Sequence, residues 1–334
     1  MSLEFASELA SSRPAQRVTR TAGIAGLGAA VPETVVTNAD VGAGSGVTPE
    51  WIVKRTGISE RRHLLHGERL DALCAAAGRE ALEQARVDPA ALDAVLVATS
   101  TADEVYPQAA PLVAGLLGAT SAMAWDISIA CTGFVAGLAQ GAALIESGRA
   151  ERVLIVGGDA VSRNIDRTDK GPAALFADGA GAAVLTAGGA GRIGATVMGS
   201  DGANGSYLVA AREDGIIHMN GWEIFHHAVA RMAECSQEVL AREGLAVEDL
   251  ALVVPHQANA RITTALTERL GLRPDQVVDD IADRGNTSAG TIPLALHRAA
   301  ATGRVPARGH VLLTAFGAGL AWGATVLHYG EGAA

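Results

Sequence analysis

Hydrophobic positions along the chain follow two patterns, short runs of strand length and longer stretches with apolar residues at helical spacing. Residues 123–129 have the pattern of a short buried strand, and residues 131–147 that of a helix that ends at Gly148. Residues 70–87 and 222–244 also have helical spacing, and each is followed by a turn and another strand-like run. This alternation is typical of crossover units in a mainly parallel α/β sheet.

Four strand-like segments of the first half recur in the same order in the second half. The pairs are 20–31 with 191–200, 92–102 with 250–260, 152–160 with 310–319, and 179–187 with 321–329. This order predicts two duplicated α/β halves, 20–188 and 189–330, after a polar N-terminal lead-in at 1–19. The period is too long for a solenoid of short repeats.

Composition narrows the class of protein. The 334 residues are 49% hydrophobic and carry a formal net charge of −10, which is typical of a globular protein and argues against non-specific nucleic-acid binding. Cys74, Cys131 and Cys235 lack the spacing of a disulfide framework or a zinc site, which fits a reducing compartment. No apolar run is long enough to span a bilayer, and residues 1–17 lack a signal-peptide pattern. We therefore expect a cytoplasmic protein with no nucleic-acid or membrane partner.

Cys131 is the first candidate for chemistry, because it lies between the predicted strand and the predicted helix. A thiol at a helix start is close to unpaired backbone N–H groups and to the positive end of the helix dipole, so we expect its pKa to fall. The small neighbours Ala130, Thr132 and Gly133 leave room for a substrate. The alternative is a buried core cysteine, and this segment alone does not decide between the two.

The duplication predicts which residues Cys131 meets. Its equivalent position in the second half is the loop 281–290, which contains Asn286, and His256 follows another predicted strand. Equivalent strand ends of two duplicated halves meet at their junction, where active sites are common. We therefore expect Cys131, His256 and Asn286 to lie close together. Taken singly, His256 favours a helix cap and Asn286 a structural turn, so the expectation rests on their positions together.

Several motifs in order resemble one family from about residue 20 to residue 330. They are WIVKRTGISERR (51–62), DISIACTGF (126–134), FADGAGAAVL (176–185), VPHQANARI (254–262), GNTSAGTIPLAL (285–296) and FGAGLAWG (316–323). Together they resemble the β-ketoacyl-acyl carrier protein synthase III family of condensing enzymes. The resemblance implies an acyltransferase with a thiolase-like fold, in which the two duplicated α/β halves form a five-layered α-β-α-β-α sandwich.

The resemblance also implies a Cys–His–Asn triad. Cys131 would take the acyl group from an acyl-CoA starter, since a thiolate is both a good nucleophile and a fair leaving group. His256 and Asn286 would donate hydrogen bonds to a malonyl thioester as carbon dioxide leaves, which stabilises the enolate. The product would be a 3-oxoacyl thioester that starts a fatty acid or a polyketide. Coenzyme A thioesters are then substrates, and we expect no cofactor and no metal.

Further residues receive expected roles from the same resemblance. The backbone N–H groups of Cys131 and Ala318 would form an oxyanion hole, and Phe316 would lie beside the catalytic side chains, although ordinary core packing also explains a Phe there. Tyr106 would cross the interface of a homodimer and close the acyl pocket of the partner. Segment 200–225 is shorter than its usual counterpart in the family and contains the large Trp222, which suggests a specialised starter unit.

Four residues are expected to bind the coenzyme A arm. Trp51 and Arg55 match positions that hold the adenine ring, although Trp51 could instead be a surface anchor at a helix start. Asn259 matches a pantetheine contact, and Arg261 a contact to the phosphate or to an acidic carrier protein. The chain has His226 where relatives often have a lysine that helps to bind the carrier. Malonyl-CoA and malonyl-acyl carrier protein therefore both remain candidate extenders.

Two other functions are compatible with the same residues. One is acyl transfer to an alcohol or amine acceptor without formation of a carbon–carbon bond. The other is a non-catalytic partner subunit that binds thioesters. Relatives with the first activity can replace the Asn and subunits of the second kind often lose the nucleophile, so the presence of Cys131, His256 and Asn286 favours condensation.

Overall fold

The structure of the protein, a computed structural model, describes residues 20–330, and the predicted lead-in 1–19 lies outside the described residues. Its strands are β1 (Ala22–Ala30), β2 (Val35–Thr37), β3 (Glu60–Arg62), β4 (Ala94–Ala98), β5 (Met123–Ile127), β6 (Arg152–Ala160), β7 (Asp178–Ala187), β8 (Gly191–Ser200), β9 (Leu208–Ala210), β10 (Ile217–Met219), β11 (Leu250–Pro255), β12 (Gly309–Gly317) and β13 (Ala321–Tyr329). Its helices are α1 (Asn38–Ser45), α2 (Pro49–Thr56), α3 (Leu70–Ala85), α4 (Ala109–Leu117), α5 (Gly133–Glu146), α6 (Lys170–Leu175), α7 (Gly221–Glu243), α8 (Ala260–Leu270) and α9 (Thr291–Ala301).

The main sheet consists of two blocks with the same internal order. Its strand order is β11-β12-β13-β8-β1-β7-β6-β4-β5, and β1 and β8 pair through only two residue pairs, Gly23 with Arg192 and Ile24 with Gly191. Counted outward from this junction, β1, β7, β6 and β4 correspond to β8, β13, β12 and β11. The repeated sequence segments fall on these equivalent strands, which confirms the predicted duplication.

The fifth position differs between the blocks. In the N-terminal block β5 pairs in parallel with β4, whereas in the C-terminal block a single parallel bridge joins Val253 of β11 to Val277. Residue 277 therefore lies where β5 lies in the other half. The loop that follows it carries Asn286, just as the turn after β5 carries Cys131.

Helices form three layers around the two blocks of strands. Buried residues of α5, among them Phe134 and Leu138, and of α9, among them Ile292 and Leu296, pack against residues from both blocks. Helices α3 and α4 cover the outer face of the N-terminal block, and α7 and α8 cover that of the C-terminal block. The result is the predicted five-layered sandwich. Within residues 20–330 no helix has both the length and the apolar character needed to cross a membrane.

The segment around Cys131 differs in detail from the prediction. Strand β5 ends at Ile127 and is an edge strand with Met123 47% exposed, so it is not the buried strand expected over 123–129. The helix begins at Gly133, because a 3₁₀ turn at 130–132 precedes it. Ala130 has φ +47°, a left-handed conformation that a helix does not accommodate. Cys131 consequently lies in the turn before the helix.

Candidate active site

One cavity of about 670 Å³ brings the three predicted catalytic side chains together. Cys131, His256 and Asn286 all line it, together with Phe316 of β12. Cys131 follows β5 and His256 follows β11, so the side chains come from strand ends of both halves. The cavity therefore lies at the junction of the two halves, where the sequence predicted the site.

The Cys131 thiol is buried, with 7% of the residue exposed, and Sγ donates a hydrogen bond to Ser288 Oγ at 3.4 Å. Burial raises the pKa of this thiol to about 12, and the contact with Ser288 opposes that change. The expected fall in pKa is therefore wrong, because the cost of desolvating a thiolate in this turn outweighs the favourable backbone groups. The resting group is a thiol, so its reaction needs a base.

A buried carboxylate supports the turn that faces Cys131. Asp159 is fully buried at the end of β6. Its oxygens accept hydrogen bonds, at 2.8–3.2 Å, from Thr99 Oγ1, Ser100 N, Thr101 Oγ1 and Ala289 N. Burial raises the pKa of Asp159, and its negative charge contributes to the raised pKa of Cys131. The sequence analysis missed Asp159, since its partners come from two distant segments, 99–101 and the turn that contains Ala289.

His256 is a neutral group in the wall of the cavity. It is buried, and Nδ1 lies 2.6 Å from Thr291 Oγ1 at the start of α9. Burial lowers its pKa to about 3, so the ring is uncharged near neutral pH. The alternative role of helix cap is wrong, because Asn259 caps α8 by accepting a hydrogen bond from Arg261 N at 2.9 Å.

The Asn286 side chain is oriented by the turn that it begins. Its Oδ1 accepts a hydrogen bond from Ser288 N at 2.9 Å, so the side-chain nitrogen is the group left to donate into the cavity. Its backbone bonds to Leu175 O and to Ala177 N, each at 2.9 Å. Gly285 has φ +66°, and a Cβ there would lie 3.0 Å from the Ala177 side chain. The loop is thus tied to the segment that precedes β7.

The predicted oxyanion region contains a residue that the sequence analysis missed. A Cβ on Gly317 would lie 2.9 Å from Cys131 N, so only glycine lets β12 approach the nucleophile this closely. Phe316 lines the cavity, while Ala318 is half-buried in the following turn and is not among the lining residues. The oxyanion role of Ala318 stays a prediction. The FGAG sequence was the available signal for Gly317.

All four residues predicted to bind coenzyme A line the same cavity. Trp51 and Arg55 lie one turn apart on α2, with the guanidinium carbon 5.9 Å from the indole centroid. Lys170 Nζ lies 5.8 Å from the same centroid and was not predicted, because it reaches Trp51 only through the packing of α6 against α2. The ring therefore has two cations beside it. The third cation, Arg261, lies over Phe225 at 5.6 Å.

Trp222, His226 and Tyr106 are the remaining residues to which the sequence analysis gave a role near the site. Trp222 and His226 line the cavity with ring centroids 4.3 Å apart, and Trp222 is 68% exposed. Tyr106 is 83% exposed and does not line the cavity of its own chain, so its role in a partner's pocket stays a prediction. In the described range 20–330, no group of three His, Cys, Asp or Glu side chains is arranged to hold a metal ion.

Comparison with known proteins identifies the family. The model of 3-oxoacyl-[acyl-carrier-protein] synthase III matches residues 125–202, and its C-terminal model matches residues 240–329. Beta-ketoacyl-[acyl-carrier-protein] synthase III 3 of Streptomyces coelicolor is 42% identical over 327 residues, which cover 93% of this chain and 98% of that protein.

Solved structures agree with these matches. 3-Oxoacyl-[acyl-carrier-protein] synthase III from Aquifex aeolicus superposes with a TM-score of 0.90 at 40% identity, over 92% of this chain and all of that one. The priming β-ketosynthase of the R1128 polyketide pathway gives a TM-score of 0.90 at 38% identity, over 95% of this chain and 99% of that one. With similarity of this degree over nearly its whole length, the chain belongs to the β-ketoacyl-acyl carrier protein synthase III family of thiolase-fold condensing enzymes.

Proposed function

We propose that this protein condenses an acyl-CoA starter with a malonyl thioester, and so starts the assembly of a fatty acid or a polyketide. One observation carries the proposal: a thiol, a neutral imidazole and a side-chain amide line one cavity that also contains aromatic and cationic side chains. A nucleophile and two uncharged hydrogen-bond donors are the groups that acylation and decarboxylation require. Relatives named 3-oxoacyl-[acyl-carrier-protein] synthase III, and a priming β-ketosynthase of a polyketide pathway, support it.

The first half-reaction transfers the acyl group. Cys131 loses its proton and Sγ attacks the thioester carbonyl; the carbon–sulfur bond to coenzyme A breaks, and the coenzyme leaves as a thiol. The raised pKa of the thiol means that Cys131 gives up its proton only during the attack, and the sulfur of the leaving coenzyme A takes up that proton. Backbone N–H groups of Cys131 and Ala318 would stabilise the tetrahedral oxyanion.

The second half-reaction forms the carbon–carbon bond. The malonyl thioester loses carbon dioxide, and the electron pair of the broken bond passes to the thioester oxygen as an enolate. Asn286 Nδ2 and His256 Nε2 donate hydrogen bonds to that oxygen. The enolate carbon then attacks the acyl-Cys131 carbonyl, and the thiolate leaves and regains a proton. The product is a 3-oxoacyl thioester and the enzyme returns to its starting state.

The substrates explain the residues at the outer end of the cavity. Trp51 offers a flat surface for an adenine ring, while Arg55, Lys170 and Arg261 offer charges for phosphate groups. Either malonyl-CoA or malonyl-acyl carrier protein would present the same pantetheine arm to Asn259. With coenzyme A thioesters as substrates, the proposed reaction uses no cofactor. Free, buried cysteines support a cytoplasmic location.

The proposed assembly is a homodimer. Strand β5 is an edge strand with Met123 47% exposed, and the nearby loop exposes Val105 and Tyr106 at 76% and 83%. An uncovered strand edge beside exposed apolar side chains is a common interface between copies of a chain. Sedimentation of the Met123→Arg variant tests this assembly: we expect a monomer from a wild-type dimer, and a monomeric wild type would overturn it.

Intact-protein mass spectrometry after incubation with a panel of acyl-CoAs tests the proposed reaction. We expect an acyl adduct on the wild type, none on Cys131→Ala, and an adduct on Asn286→Ala. Release of carbon dioxide from a malonyl thioester should fall about 10²–10³-fold in Asn286→Ala, because one donor to the enolate is lost. The mass of the preferred adduct identifies the starter.

The matched control for the nucleophile is Cys74→Ala, which removes another buried thiol that does not line the cavity. We expect this variant to keep the adduct. Two results would contradict the proposal: an adduct that survives Cys131→Ala, or unimpaired condensation by Asn286→Ala. Products formed without any malonyl thioester would favour transfer to an alcohol or amine instead.

A further inference from the structure

The closest polar neighbour of His256 is a threonine that the proposed reaction does not use. Thr291 Oγ1 lies 2.6 Å from His256 Nδ1, and both residues are 2% exposed. Thr291 is the first residue of α9, whose backbone is fixed by packing between the two sheet blocks. The contact is therefore short, shielded from water and held by the core.

The hydroxyl of Thr291 has a single proton and two neighbours that could accept it. One is His256 Nδ1 at 2.6 Å, and the other is the backbone oxygen of Ser288 at 3.1 Å. If the proton goes to Ser288 O, Nδ1 must itself carry hydrogen and donate to Oγ1. If it goes to Nδ1, the ring carries its hydrogen on Nε2. The direction of this one hydrogen bond thus determines the histidine tautomer.

Only one of the two tautomers suits stabilisation of an enolate. His256 is neutral, because burial strongly disfavours the charged ring, and so has a single N–H. Within the described part of the chain, Nε2 has no protein hydrogen-bond partner, whereas Nδ1 faces Thr291. A donor aimed at substrate must therefore be Nε2–H. The shorter of the two contacts of Thr291 is the one that produces this tautomer.

We propose that Thr291 is a positioning residue that donates its hydroxyl proton to His256 Nδ1 and thereby keeps Nε2–H available to the substrate. The use of this tautomer in decarboxylation rests on the proposed function. A mechanism that relies on the orientation of an imidazole commonly needs a partner on the far ring nitrogen.

The other half of the molecule shows that this contact is not imposed by the fold. There the equivalent helix, α5, begins at Gly133, which packs against Ala98 at the end of β4; a Cβ on Gly133 would lie 2.7 Å from Ala98 Cβ. The start of the central helix thus meets the end of a strand through an apolar contact in the N-terminal half, and through a hydrogen bond in the C-terminal half. The His256–Thr291 pair is therefore specific to the half that carries the proton donors.

Nitrogen-15 NMR of the full-length protein labelled at histidine tests the tautomer directly, with His256→Gln used to assign the signal. In the wild type we expect a protonated Nε2 and an unprotonated Nδ1. In Thr291→Val the hydroxyl is absent, so we expect a mixture of tautomers, and Thr291→Ser should restore the wild-type signal. The control is Thr287→Val, because Thr287 Oγ1 is buried without a hydrogen-bond partner among the described residues.

Kinetics of the same variants separate positioning from general damage. Decarboxylation by Thr291→Val should fall at least about tenfold, and by no more than the roughly 10²–10³-fold of a wholly lost donor. Acylation of Cys131 should fall far less, because it does not need Nε2–H. Thr291→Ser should recover decarboxylation, and Thr287→Val should keep both steps.

Two results would overturn the inference: a wild-type His256 protonated on Nδ1, or a Thr291→Val variant with unchanged tautomer and unchanged decarboxylation. Equal losses in acylation and decarboxylation would also overturn it, since they would indicate a structural role. A wild type with the expected tautomer but no decarboxylation would contradict the proposed function and leave the tautomer assignment standing.

Discussion

The two halves of the molecule contain the same strained turn, and only one of the turns carries the proposed nucleophile. Ala130 and Ser288 have φ +47° and +52°, and each begins a 3₁₀ turn that leads into the central helix of its half. Cys131 therefore corresponds to Ala289. The duplicated fold supplies two equivalent turns that face each other. One carries the thiol of the proposed reaction, and the other contributes Ser288, which accepts the hydrogen bond of that thiol.

The ends of β6 and β12 also carry different groups at equivalent positions in the two halves. Asp159 and Gly317 occupy equivalent places, since the first pairs with Gly179 of β7 and the second with Ala321 of β13. Asp159 accepts the hydrogen bond of Ala289 N, whereas Gly317 presents no side chain to Cys131 N. The N-terminal half thus has the Asp159 carboxylate at this position. The C-terminal half has Gly317 there, which leaves open space beside Cys131 N, where a developing oxyanion needs a hydrogen-bond donor.

The largest effect is expected from closing the open position with Gly317→Ala. The added methyl would lie 2.9 Å from Cys131 N and 3.1 Å from its Cβ, so the turn must move or its N–H must be covered. We expect acylation to slow about 10²–10³-fold, as for one lost oxyanion donor. Stopped-flow release of coenzyme A measures it. Gly202→Ala, where no atom lies within 4 Å of the added Cβ, should match the wild type; equal rates for both variants would contradict the assignment.

The next effect concerns stability against acid, because burial holds His256 neutral. Its pKa is about 3 in the folded protein against an ordinary 6.5, so the unfolded chain binds a proton that the folded chain does not. The free energy of unfolding should therefore fall as pH drops below 6.5, by about 1.4 kcal/mol per pH unit from this group, until about pH 3. Urea titrations between pH 7 and pH 4 should show a shallower slope for His256→Gln.

The control for that slope is His66→Gln, at an exposed histidine, for which we expect the wild-type dependence. An unchanged slope in His256→Gln would contradict the neutral, buried state of His256. In the N-terminal half the end of β4 carries the apolar Ala98, so the contribution of His256 has no counterpart at that equivalent position.

A smaller effect is expected from Asp159→Asn, which removes the negative charge from the position in the N-terminal half that is equivalent to Gly317. Because the Asp159 charge raises the pKa of Cys131, the variant should alkylate with iodoacetamide at lower pH than the wild type. The amide cannot accept every hydrogen bond of the carboxylate, so the free energy of unfolding should also fall by about 1–3 kcal/mol.

The matched control for this change is Asp93→Asn. Asp93 likewise accepts two backbone hydrogen bonds, from Glu151 N and Arg152 N at 2.7 and 2.9 Å, but at the far end of β6. We expect its alkylation profile to follow the wild type. If a folded Asp159→Asn variant has the same profile as Asp93→Asn, the electrostatic link between Asp159 and Cys131 is absent.

The smallest effect compares two helix glycines. Gly133→Ala places a Cβ 2.7 Å from Ala98 Cβ, and overpacking of this kind costs about 1–3 kcal/mol. Gly115→Ala on α4 meets no atom within 4 Å and should stabilise the protein by about 0.5–1 kcal/mol. Thermal unfolding should show a lower midpoint for Gly133→Ala and a higher midpoint for Gly115→Ala than for the wild type. A stable Gly133→Ala variant would show that α5 can move away from β4.

Much of the fold was predictable because its signals are local. Apolar spacing identified α3 and α7 to within two residues at each end, and the order of strand-like runs identified the duplication. The motifs around Cys131, His256 and Asn286 pointed to one site because each follows a strand position, and strand ends of duplicated halves converge. The bounds of β5 and α5 were less predictable, since the left-handed Ala130 between them has no distinctive sequence.

The architecture, the family and the three side chains at the centre of the site were therefore predictable from the sequence. The states of these side chains depend on the folded protein: the raised pKa of Cys131, the neutral ring of His256, and the partners Ser288 and Thr291. These depend on burial and on contacts between distant segments, such as Cys131 with Ser288, which are 157 residues apart. Desolvation and hydrogen-bond geometry are properties of packed neighbours, and a residue's place in the sequence does not specify them.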